Sequence, residues 1–208
     1  PRTHVAEGGL GQWRRTAIGV EASFPRTADG RMVFGPIGDA RRVAVQRLDP
    51  SAGPGHLEAG LLVYPRASRS VDALFYAQGD TVEELLVVHD ADAEIGYAFD
   101  LPAGSSLRAS RDTLVEVCDE AQSAWLRLRF EQAWDRRGAP VRMRVVTDGR
   151  TVHLQLHGTP LFPILVDPSW EGTATMVEAR QQHVAGDYPE GIGQQRQGLG
   201  DAAEIGRA

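Results

Sequence analysis

The sequence predicts an all-β fold, an antiparallel β-sandwich of about ten strands. Apolar and polar residues alternate with period two in run after run. Turn signals separate the runs at intervals of roughly ten residues. Few stretches show a helical period.

The first segment, residues 1–40, contains Trp13–Phe24, which reads as one further strand pair and as a candidate separate N-terminal unit. Arg42–Leu48 then alternates. Leu61–Tyr64 closes on Pro65, and Val71–Tyr76 alternates in part. Thr81–His89 is the ambiguous stretch, because Thr81 and Glu84 have capping-box spacing. The adjacent β-branched pair Val87–Val88 and its surroundings favour a strand. Tyr97–Leu101 puts Tyr97, Phe99 and Leu101 on one face. Thr113–Cys118 is strand-like. Ala124–Phe130 puts Leu126, Leu128 and Phe130 on one face, with Trp125, Arg127 and Arg129 on the other. Val141–Val146 and Thr151–Leu156 form a hairpin with Asp148-Gly149 at its tip. Phe162–Val166 is a buried strand that Asp167-Pro168 is expected to end. The domain is expected to span 1–170. Residues 171–208 are rich in Gly, Gln, Ala and charge, bury no periodic face, and are expected to be a poorly ordered tail.

The chain has 208 residues, 42% hydrophobic and 24% charged, which suits a folded domain. Its formal net charge of −6 argues against a nucleic-acid partner and against a basic membrane-surface helix. No apolar run is long enough for a membrane-spanning helix, so membrane insertion is not expected. Every basic side chain is Arg, and Asn is absent, so the chain has no N-glycosylation site. Cys118 is the only cysteine; it allows neither an intrachain disulfide nor a cysteine metal site, and reads as a small buried residue.

A set of short motifs falls in a fixed order along the chain. Leu61-Leu-Val-Tyr-Pro65 is followed by Val71–Tyr76 and by Thr81–Val88. Tyr97-Ala-Phe-Asp-Leu-Pro-Ala-Gly104, Trp134-Asp-Arg-Arg-Gly138 and Phe162-Pro-Ile-Leu-Val-Asp-Pro168 complete it. This order resembles a β-rich region that precedes kelch repeats or Rhs-type YD repeats in large secreted bacterial proteins. That region closes on a strand of the "YPxxVDP" type, and Phe162 stands here in place of its Tyr. The resemblance covers roughly Leu61 to Trp170. Thr173–His183 then looks like the lead-in to a first kelch blade, after which the expected apolar strand is missing. A shift of reading frame after Val184 would produce such a departure. The resemblance implies a non-catalytic structural or presentation module at the cell surface or outside the cell. Its partner would be the adjoining repeat domain, in a protein serving adhesion or recognition of a glycan or protein surface.

The candidate sites are few. Asp90, Asp92 and Glu94 alternate in a loop and could give hard oxygen ligands to calcium, against the reading of a solvated acidic loop. No other cofactor is expected. Trp125 and Trp134 are candidate ligand-binding aromatics, since an indole face can stack on a sugar or anchor a partner. Their competing role is core packing. A carbohydrate-binding module built on these residues is the alternative function. A glycan-active jelly-roll enzyme is the third, drawing on Glu83-Glu84, Asp119-Glu120 or Asp135 for paired carboxylates. His153 and His157 lie along a strand, where four residues separate them by about 13 Å, too far for one metal ion. Gly8–Gly11 lacks the Lys and the strand–helix setting of a phosphate loop.

Overall fold

The structure is a computed structural model that describes residues 6–8, 12–16 and 19–173. The described residues form two antiparallel sheets of eight strands each. The first sheet runs, in spatial order, β1 (Ala6–Gly8), β2 (Gln12–Thr16), β3 (Val20–Pro25), β4 (Met32–Pro36), β5 (Val43–Arg47), β10 (Gly96–Asp100), β15 (Thr151–His157) and β14 (Arg142–Asp148). The second runs β11 (Ser106–Arg111), β12 (Leu114–Cys118), β13 (Ala124–Trp134), β16 (Ile164–Gly172), β9 (Thr81–Val88), β8 (Val71–Gln78), β7 (Leu61–Ser68) and β6 (His56–Glu58). The all-β sandwich is as the alternation predicts.

Alternation sets which side chains fill the core. Val20, Ala22 and Phe24 of β3 face inward, as do Val43 and Val45 of β5, Val71, Ala73 and Phe75 of β8, and Ile164 and Val166 of β16. Both sheets contribute to one hydrophobic cluster. From segment 1–40, Val20, Ala22, Phe24, Ala28, Met32 and Phe34 belong to it, and β3 and β4 pair within the first sheet. At its centre the indole of Trp170 stacks on Phe34, with centroids 4.0 Å apart and planes 8° from parallel. Tyr97 meets the same indole edge-on at 5.6 Å.

A polar network crosses this core. Arg47 and Glu84, 6% and 0% exposed, form an ion pair between the two sheets. Glu84 Oε2 also accepts from the Tyr97 hydroxyl at 2.9 Å and from Trp170 Nε1 at 3.1 Å. The Arg47 guanidinium lies 5.5 Å from the Phe75 centroid and 5.6 Å from that of Tyr97. Burial works against the charge on Arg47, but Glu84 outweighs it and holds the guanidinium protonated. Burial, reinforced by Glu84, pushes the Tyr97 hydroxyl well above the usual phenol range, and burial does the same to Tyr64. A phenol whose pKa is raised by folding stabilises the fold below its unfolded value and loses that contribution as pH rises beyond it. The melting temperature is therefore expected to fall as pH climbs above about 10, and Tyr97→Phe to flatten that fall. A melting series across the alkaline range checks this.

Three local differences from the sequence reading have physical causes. The described residues form sixteen strands rather than about ten, because short or exposed strands bury too little to show a period. β11, Ser-Leu-Arg-Ala-Ser-Arg, has no buried residue, and β6 is exposed throughout. The tip of the β14–β15 hairpin is Gly149-Arg150, since Asp148 pairs with Thr151. Gly149 takes a φ of 57°, as the first position of a two-residue loop with left-handed Gly requires. Asp167-Pro168 does not end its strand. β16 continues to Gly172, so the sheet extends past the expected boundary at Trp170. A central strand tolerates Pro at an irregularity in its pairing. Here β13 bulges between Phe130 and Gln132, and neither Asp167 nor Pro168 forms a bridge to β9.

The two sheets also meet at one edge. Val145 N donates to Asp112 O at 2.6 Å, and Val141 N to Ala133 O at 2.9 Å. These bonds occupy part of the edge of β14 that would otherwise be open to pairing. Thr81–Val88 is a strand, as its β-branched pair implies. The expected tail falls almost wholly outside the described residues, as do the frame shift after Val184 and all but Thr173 of the kelch-like lead-in.

Candidate functional site

The calcium candidates are not gathered. Asp90 accepts from its own loop at Asp92 N, 3.0 Å away, and from the Ser70 hydroxyl. Glu94 lies 3.5 Å from His153 Nδ1. Among the described residues no group of three or more His, Cys, Asp or Glu is placed to hold a metal ion. Asp90 borders a cleft of about 650 Å3 whose lining includes Val88, Ile95, Leu154, Leu156 and Phe162.

Trp125, expected on the face opposite Leu126, Leu128 and Phe130, is only 1% exposed, sits at a register shift between β12 and β13, and belongs to the hydrophobic core cluster. The loop between β4 and β5 places the Arg41 guanidinium 5.4 Å from its ring centroid. Its ring is therefore not an open platform for sugar stacking, which corrects that expectation. Trp125 lines a cleft of about 430 Å3 with Arg41, Asp119, Arg127 and Glu171, and its buried Nε1 has no hydrogen-bond partner.

The carboxylates proposed for glycoside hydrolysis have separate roles. Glu84 is in the core network. Asp119 accepts from Ser123 N at 2.9 Å in the β12–β13 turn. Asp135 accepts from Arg137 N and Ala139 N at 2.8 and 2.9 Å, and these bonds hold its carboxyl below the usual range. Glu116 sits between Arg108 and Arg127 at 2.8 and 3.1 Å; burial opposes its charge, but the two guanidinia lower its pKa. Cys118 is buried, and burial raises its thiol, which leaves it poorly suited to be a nucleophile.

One surface brings Trp134 together with acidic groups: the outer face of the second sheet. Residues opposite one another in register share a face. Trp134 lies opposite Leu165, and Leu165 opposite Val87. Ser169 lies opposite Arg129 on one side and Glu83 on the other, with Tyr76 beyond Glu83. Leu165, Asp167, Ser169 and Glu171 alternate with core residues and so project outward together. Leu165 is 36% exposed and Trp134 half-buried. Arg129 Nε is 3.2 Å from Glu171 and 3.9 Å from Glu131 on the bulge.

This face is short of positive charge. Burial raises the Asp167 carboxyl, and Glu131 adds to the rise. Burial likewise raises Glu83 against a hydrogen bond from Thr81, with Asp167, Glu131 and Glu171 adding to it. Tyr76 is raised by burial, then by Glu83 and Asp167. Asp167 Oδ1 and Ser169 Oγ are buried without a hydrogen-bond partner, and Ser169 is 1% exposed. Sequence reasoning singled out Glu83 and Trp134 but not Asp167, Ser169, Glu131 or Glu171. The usable signal was the outward alternation of Leu165, Asp167, Ser169 and Glu171, which reading Pro168 as a strand end concealed.

Among the described residues no helix is long and apolar enough to cross a membrane. No family model, no curated protein and no solved structure matches the chain.

Proposed function

We propose that this chain is a non-catalytic presentation module of a secreted or surface-exposed bacterial repeat protein, serving adhesion or recognition. The observation that supports this best is how β16 is held where the kelch-like lead-in begins. β16 is a central strand, hydrogen-bonded between β13 and β9. Trp170 anchors it in the core, and Thr173 N donates to Trp125 O at 3.2 Å while its hydroxyl bonds Ala124 O. A following domain would thus start from a fixed point on a rigid scaffold, which is what covering and orienting a repeat array demands. Reading the gene and the DNA beyond it is the direct test. Kelch-like or YD repeats in the same or a shifted frame are the expected result. A frame that closes with no repeats downstream would overturn the proposal.

A carbohydrate-binding reading draws on the cleft at Arg41 and Trp125. Its guanidinium, carboxylates and unpartnered indole N–H could bind hydroxyl groups edge-on rather than by stacking. Trp125→Phe keeps the packing and removes the donor. This reading requires glycan-array binding that Trp125→Phe weakens, and an array without signal would exclude it.

A further inference from the structure

We propose that the outer face of the second sheet is a docking surface for a protein segment that alternates basic and apolar side chains. The proposal does not depend on the presentation role.

Charge is the first ground. Glu83, Glu131, Asp167 and Glu171 are gathered about Ser169, and Arg129 is the guanidinium that lies against Glu131 and Glu171. Arg127, next along that face of β13, is engaged with Glu116. Burial raises the Glu83 and Asp167 carboxyls first, and the neighbouring acids add to the rise. A cation brought to this face would relieve it, as an arriving Lys or Arg side chain does at charge-complementary interfaces.

Unmet polar atoms are the second, independent ground. Ser169 Oγ sits at the centre of the face, 1% exposed and without a partner. Asp167 Oδ1, two residues away on a half-buried side chain, is likewise buried without a partner. A buried polar atom left without a hydrogen bond costs free energy that an incoming donor can recover. The guanidinium fork carries several donors and suits adjacent acceptors.

The apolar row Trp134, Leu165 and Val87 lies beside the acids and gives the partner's apolar side chains a place. An aromatic flanked by charge is a common anchor for a protein partner. The sequence argues against its own C-terminal segment as occupant. Residues 174–208 contain Glu178, Asp187, Glu190, Asp201 and Glu204 against Arg180, Arg196 and Arg207, so that segment is itself acidic.

The test uses the full 208-residue chain and a fluorescent peptide of alternating Leu and Arg, with a Leu–Ser peptide for comparison. Saturable binding of the Leu–Arg peptide, weakened by salt, is expected. Glu83→Gln with Asp167→Asn should weaken it by about tenfold or more, and Trp134→Ala should weaken it further. The first pair of substitutions removes repulsion, so an unchanged or raised melting temperature should accompany the loss. Asp29→Asn with Asp148→Asn makes the same change of net charge at exposed sites elsewhere and should leave binding intact. Equal weakening by this control would mean a net-charge effect and overturn the proposal. So would equal binding of the Leu–Ser peptide, or no binding of the Leu–Arg peptide. Glycan binding abolished by Trp134→Ala, with the peptide silent, would assign the face to a sugar instead and overturn it as well.

Discussion

Replacing Arg47 with Met is expected to destabilise the fold by about 3–5 kcal/mol, because it leaves the Glu84 carboxylate charged in the core without its cation. Glu84→Ala should cost a similar amount for a different reason. It strands the guanidinium, and it also removes the acceptor for the Tyr97 hydroxyl and the Trp170 N–H. For a domain of this size the loss corresponds to a fall in melting temperature of roughly 10 °C. The informative comparison is the double substitution Arg47→Met with Glu84→Gln. The Gln carbonyl can still accept from Tyr97 and Trp170, and no net charge remains buried. The double variant should therefore be more stable than either Arg47→Met or Glu84→Ala, since a buried ion pair replaced as a unit is often near neutral. Chemical denaturation of the variants measures this. With Glu84→Gln measured alone to close the cycle, losses from Arg47→Met and Glu84→Gln that simply add in the double variant would show that the two residues act independently, contrary to the geometry.

This network shows where the sequence was legible and where it was not. Both residues stand at inward positions of plain alternations. Arg47 follows Val43 and Val45, and Glu84 lies between Val82 and Leu86. Two opposite charges on core-facing positions were a readable sign of a buried pair. What the sequence did not contain was that β5 and β9, in different sheets, bring those positions face to face. The same limit applies to Trp125. Its neighbours on β13 suggested an outward face, but a register shift against β12 falls at Trp125, which joins the core cluster with Arg41, far away in the chain, beside its ring. Local pattern also failed where a residue's usual meaning was overridden. Pro168 normally marks the end of pairing, and the bulge at Glu131 let β16 continue past it. β11 left no pattern because an exposed edge strand has no buried face to impose one.

Trp170→Ala is expected to cost about 3–5 kcal/mol, in the range for deleting a large buried aromatic. Phe34 would lose its stacking partner at 4.0 Å, and Tyr97 and Phe99 would border a cavity. Trp170→Phe keeps most of the ring volume and deletes the N–H. It should cost less, about 1–3 kcal/mol, since Glu84 retains Arg47 and Tyr97. The location of the damage matters as much as its size. Trp170 stands only two residues before Gly172, where a terminal strand could fray without consequence for the rest. Yet β16 is hydrogen-bonded to β13 along most of its length and to β9 on its other side, so separating it would divide the second sheet in two. Close approach adds to this constraint. A Cβ on Gly172 would come within 2.0 Å of Gly19 O, so the end of β16 is packed directly against backbone near the start of β3. Loss at Trp170 should therefore lower amide-exchange protection across β9, β13 and β16 together. Protection lost from β16 alone would mean that the strand clamps a sandwich already complete without it. The proposed presentation role would then lose its main support, because β16 would be detachable instead of a fixed point.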